Sequence, residues 1–129
     1  MEKNTILIVD DQTDLRSFFR LALELDGFEI IEAENGREAL ERLRSLTPTS
    51  LPYLIFLDLM LPIMSGEEFL CTVSLDAEIK DIPVIVMSAA INSGKSKLDH
   101  ASKIVRKPVL MAELTTMARH YTDGARAVH

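Results

Sequence analysis

A chain of 129 residues is long enough to bury one hydrophobic core and too short for two, so a second, effector domain is not expected. Hydrophobic residues at 47% and charged residues at 26% are ordinary for a globular protein and exclude a disordered or collagen-like chain. Twenty acidic against fourteen basic residues give a net charge of -6 with no Lys/Arg cluster, which argues against direct nucleic-acid or membrane-surface binding.

After a short polar start, Ile6-Leu7-Ile8-Val9 is a β-branched apolar run closed by Asp10-Asp11, the pattern of a strand buried on both faces. From Thr13, Leu15, Phe18, Phe19, Ala22 and Leu25 recur at three- and four-residue steps until Gly27, which predicts a helix with that apolar face. Phe28, Ile30 and Ile31 form a second strand. Asn35 then caps a second helix, with Glu38 three residues on and Ala39, Leu40 and Leu43 along one face.

Pro48 and Pro52 punctuate a loop before Leu54-Ile55-Phe56-Leu57-Asp58, a third apolar strand ending on an acid. Ser65-Gly66-Glu67-Glu68 has capping-box spacing and leads into Phe69, Leu70 and Val73 of a third helix. Pro83 precedes the strand Val84 to Ser88. Ile104-Val105 before Lys107-Pro108 is a short fifth strand, and Leu110, Leu114, Met117 and Tyr121 share a face of a terminal helix.

The predicted architecture is therefore α/β: a doubly wound, five-stranded parallel sheet with helices on both faces. The domain covers residues 1–122, followed by a short tail at 123–129. Cys71, the single cysteine, excludes an internal disulfide and is expected to pack on or near a helix face. His100, His120 and His129 lack metal-ligand spacing. No long hydrophobic segment is present to serve as a signal or membrane span, so a cytoplasmic location is expected.

Ligands of such sheets bind outside the carboxyl ends of the strands, where this sequence gathers Asp10, Asp11, Asp58, Ser88 and Lys107. Three carboxylates together would repel unless a hard divalent cation joined them, and oxygen ligands with room for water suit magnesium. Lys107 and a hydroxyl are then suited to phosphoryl oxygens, leaving one acid as nucleophile. Taken singly, Asp11 could cap a helix, Asp58 could simply end a strand, and Lys107 could be a solvated charge.

Ile8-Val9-Asp10-Asp11, Leu57-Asp58-Leu59-Met60-Leu61-Pro62 with Gly66, Ser88-Ala89 and Lys107-Pro108 together resemble the response-regulator receiver family, from about Thr5 to about Ala118. The resemblance implies a flavodoxin-like receiver fold and a two-component phosphorelay. In that setting, Asp58 takes a phosphoryl group from a histidine kinase or phosphotransfer protein, and the switched domain engages a downstream protein. It implies magnesium held directly by Asp11, Asp58 and the Met60 carbonyl, with Asp10 acting mainly through water. Ser88 and Lys107 would contact the phosphoryl group, and the Lys107-Pro108 bond would be cis.

Two features depart from that family. Ile104 stands where a Tyr or Phe is usual. The segment between Ser88 and Lys107 is short and holds Asn92-Ser93-Gly94-Lys95-Ser96, so the fourth helix is expected to be short or irregular, with only Ile91, Leu98 and Ala101 as an apolar face. Both leave a phosphorylation-independent adaptor with a fixed surface as the alternative. A haloacid-dehalogenase-like hydrolase is disfavoured, because the second residue after Asp10 is Gln12 rather than Asp.

Overall fold

The computed structural model describes residues 4–89 and 98–127, with side chains through 123. Five strands, β1 (Thr5–Val9), β2 (Glu29–Ala33), β3 (Leu54–Asp58), β4 (Val84–Ser88) and β5 (Lys103–Arg106), pair in parallel in the order β2-β1-β3-β4-β5. The helices are α1 (Thr13–Leu25), α2 (Gly36–Arg44), α3 (Gly66–Ser74) and α4 (Met111–Ala127), so the terminal helix runs past residue 122. Residues 90–97, where the helix expected between β4 and β5 would begin, lie outside the described residues. Leu98 and Ala101, two of its three expected apolar positions, pack against the core.

Alternation along the strands divides the interior in two. Ile6, Ile8, Leu54, Phe56, Ile85 and Met87 face α1 and α4, where Phe19, Leu23, Leu114 and Ala118 close the layer. Leu7, Val9, Ile55, Leu57, Val84 and Val86 face the other way, under Ala39, Leu40, Phe69 and Leu70 of α2 and α3. Burial on both faces is what a continuous apolar run demands, and it explains why these strands show no polar alternation.

Helix ends follow the local chemistry. Gly27 at φ 93° ends α1 in a Schellman motif, in which the Phe28 N–H donates to the Leu23 carbonyl and the Gly27 N–H to Glu24. Asn35 accepts from the Glu38 N–H at 2.9 Å, while the Glu38 carboxylate accepts from the N–H of Glu34. Ser65 and Glu68 form the reciprocal capping box in full.

Several expected faces need correction. Phe18 and Leu25 of α1 are 43% and 72% exposed, and the core side of the helix is Arg16, Phe19, Ala22 and Leu23. With 3.6 residues per turn, Phe19 and Leu23 share a side, and Phe18 is turned about 100° away from it. Leu110 precedes α4 and is exposed. Cys71 is exposed on α3 instead of packed. Among the described residues no helix is long and apolar enough to cross a membrane.

Candidate functional site

Because all five strands run in parallel, their carboxyl ends share one rim, and the strand order reverses beside β1 and β3. Asp10 follows β1 and is fully buried; Asp11 beside it is exposed. Asp58 is the last residue of β3 and Ser88 the last of β4, both buried, and Lys107 follows β5. The five predicted side chains thus stand on one rim. Asp11 does not cap α1, whose N-cap is Gln12 and has no side-chain cap bond.

One carboxylate oxygen from each of Asp10, Asp11 and Asp58 lies within 4.8 Å of the others. Lys107 Nζ is 3.3 Å from Asp10 Oδ2 and 3.3 Å from Asp58 Oδ2, bridging the two buried acids. Their other oxygens are also engaged: Asp10 Oδ1 accepts the Gln12 N–H at 2.9 Å and Asp58 Oδ1 accepts the Met60 N–H at 3.2 Å. Burial, and then the charge of Asp10, raise the Asp58 carboxyl above its ordinary range, while Lys107 and the Met60 N–H pull it back.

That donor set fits magnesium. It consists of hard oxygens only, its close spacing lets one small ion touch several of them, and the exposed Asp11 leaves a side open for water. Met60 exposes its side chain and pins Asp58 through its N–H; the ligand role of its carbonyl rests on the family resemblance.

The loop after β3 holds the nucleophile candidate from behind. The Gly66 N–H donates to the Leu59 carbonyl at 3.0 Å. A Cβ on Gly66 would stand 2.6 Å from the Asp58 carbonyl oxygen and 2.7 Å from Leu59 Cα, so only glycine allows this approach. Behind β5, the Lys107-Pro108 bond is cis, as the resemblance implies.

Sequence reasoning missed Arg16. It is only 7% exposed, and its guanidinium donates to the Asp10 carbonyl at 2.7 Å and to Glu32 Oε1 at 3.1 Å. The available signal was a cation three residues before Phe19, on the apolar side of α1. A shallow depression of about 640 Å³ lined by Gln12, Thr13, Asp14, Leu15 and Phe18 contains none of the acidic cluster and is not the centre of this chemistry.

Comparison with known proteins agrees with this geometry. The family described as the response regulator receiver domain matches residues 6–119. The phosphate regulon transcriptional regulatory protein PhoB of Pseudomonas aeruginosa is 40% identical over 89 residues, covering 69% of this chain and 37% of PhoB. Histidine kinase P4 of Formosa agariphila is 40% identical over 126 residues, covering 95% of this chain and 9% of that protein. The chain thus spans well under two thirds of either relative. A CheY-like response regulator receiver domain protein from Methanospirillum hungatei has the same fold, with a TM-score of 0.86 at 24% identity over 99% of this chain and 100% of that one.

Proposed function

The chain belongs to the response regulator receiver domain family of two-component systems, and from that premise we propose that it is a phosphoacceptor switch, modified on Asp58 by a histidine kinase or phosphotransfer protein. The observation that carries this reading is the meeting of three carboxylates within 4.8 Å with Lys107 Nζ on two of them.

Asp11, Asp58 and the Met60 carbonyl would hold magnesium, with Asp10 contributing through water. Bound there, the ion supplies positive charge against the oxygens of the transferring group. A carboxylate oxygen of Asp58 forms the new O–P bond as the N–P bond of a donor phosphohistidine breaks and the imidazole leaves with its electron pair. Lys107 turns from its two carboxylates to one phosphoryl oxygen, and the Ser88 hydroxyl donates to another. Burial helps by keeping competing water from Asp58, which is only 5% exposed.

As a signalling switch, the domain would pass the modification on by changing a surface that a downstream protein reads. Intact-mass analysis after incubation with a small acyl phosphate and magnesium tests the reading. The wild-type chain should gain one phosphoryl mass and Asp58→Asn none. Equal uptake by the variant would remove Asp58 as the acceptor.

A further inference from the structure

Arg16 is the one buried cation of α1, and its contacts converge on the backbone that carries Asp10. The paired register of β1 ends at Val9, one residue before Asp10. Beyond it, the Asp10 N–H still donates to the Ala33 carbonyl at 3.1 Å, and the Asp10 carbonyl accepts from Arg16 Nη1 at 2.7 Å. The same guanidinium reaches Glu32 Oε1 at 3.1 Å and Glu34 Oε1 at 3.8 Å, while Arg20 takes Glu32 Oε2 at 2.6 Å.

We propose that Arg16 is a positioning residue for the acidic site: it clamps the Asp10 peptide to the end of β2 so that the Asp10 carboxylate stays in place to share a cation with Asp11 and Asp58. This rests on the reading of that site as a magnesium-dependent phosphoryl acceptor. Three close carboxylates push one another apart, and a strand end past the paired register, held to β2 by the Asp10 N–H alone, is the first place where they can yield. A planar fork answers both needs, since one edge bonds the carbonyl and the other bonds Glu32 in a fixed direction. The ionic bonds to Glu32 and Glu34 also offset the desolvation of the guanidinium, which therefore adds little net charge beside the metal ligands.

The test compares Arg16→Gln, Arg16→Lys and Glu32→Gln with the wild type in two NMR measurements. One is hydrogen-exchange protection of the Gln12 amide in metal-free protein, because that N–H bonds Asp10 Oδ1. The other is a magnesium titration followed on the amides of Asp11 and Met60. Arg16→Gln, too short to reach the carbonyl, should lose Gln12 protection and bind magnesium about ten- to a hundredfold more weakly. Arg16→Lys keeps one donor and should recover much of both. Glu32→Gln should lower the unfolding temperature yet leave both readouts near wild type, since the amide oxygen still accepts from Arg16 and the bond to the Asp10 carbonyl survives.

The clamp is overturned if Arg16→Gln matches the wild type in both readouts, or if all three variants weaken magnesium binding only in proportion to their lost stability. Should Arg16→Gln fail to fold, Arg16→Lys decides: a partial loss of Gln12 protection absent from Glu32→Gln supports the clamp, and protection equal to wild type in both overturns it. Should the wild type bind no magnesium, the reading of the site fails, and the Gln12 exchange in metal-free protein still decides on Arg16.

Discussion

The backbone N–H of Lys107 donates to the carbonyl of Ser88 at 2.8 Å, which ties the hydroxyl-bearing end of β4 to the ammonium-bearing end of β5. The bond belongs to the main chain, so removing either side chain leaves the edge intact. Chemistry and structure can therefore be separated at these two positions.

Lys107→Ala should keep the fold and slow phosphoryl uptake from a small acyl phosphate by about a hundred- to a thousandfold, the usual effect of losing one preorganised donor to developing charge. Ser88→Ala should slow it less, since a neutral donor is lost instead of an ion. Time-resolved intact mass gives both rates. Unchanged uptake in Lys107→Ala would take the ammonium out of the reaction.

Gly66→Ala should destabilise the domain by about 1–3 kcal/mol, the ordinary cost of overpacking. The added methyl meets backbone, the Asp58 carbonyl at 2.6 Å and Leu59 Cα at 2.7 Å, and neither can swing aside as a side chain would. Urea unfolding midpoints measure this directly. A midpoint equal to wild type would mean that the loop after β3 relaxes at no cost.

Much of this was legible in the sequence, and the exceptions have physical causes. Strands buried on both faces announce themselves as unbroken apolar runs, so β1, β3 and β4 were readable, together with the acids that close β1 and β3 and the Ser88 hydroxyl that ends β4. Capping at Asn35 and Ser65 was readable because its chemistry is local. The core side of α1 was misjudged at Phe18 and Leu25, because an apolar residue one position off the stripe still satisfies a loose count of three and four. Arg16 escaped because its partners, the Asp10 carbonyl and Glu32, are brought together only by the tertiary fold. The mutual approach of Asp58 and Gly66 depends likewise on a turn that no spacing rule encodes.

Opposite pH signatures are expected from two aspartates. Asp58 is raised in the folded state, by burial first and by Asp10 second, so its contribution is most favourable below its unfolded value near 3.8 and is lost as pH rises through the folded value. Asp26 is lowered, chiefly by its hydrogen bonds from Arg119, so it stabilises the fold above 3.8 and that stability is lost as pH falls through its folded value. In metal-free protein, Asp58→Asn should therefore be more stable than wild type at neutral pH, and Asp26→Asn less stable. Both differences should shrink on acidification. Urea midpoints from pH 3 to 7 with a chelator present would expose any failure of either sign.

Ile63 offers a gain in stability at an unusual place. It sits at φ 67° just past Pro62, and the Met64 N–H donates back to the Pro62 carbonyl at 2.6 Å, closing a tight turn around it. A β-branched residue there is strained, at a cost of about 1–2 kcal/mol, because Cβ crowds the following carbonyl. Burial returns little of this, since Ile63 is 70% exposed. Ile63→Asn should therefore stabilise the domain by about 1 kcal/mol, since asparagine tolerates this region. Ile63→Gly should gain less, because glycine relieves the strain but frees the unfolded chain by about 0.5–1 kcal/mol. Ile63→Val keeps the branch and should change nothing. Thermal and urea unfolding of the three variants would rank them. If Asn and Gly both prove less stable than Ile, the left-handed turn is not strained, and the isoleucine side chain contributes packing that its exposure does not reveal.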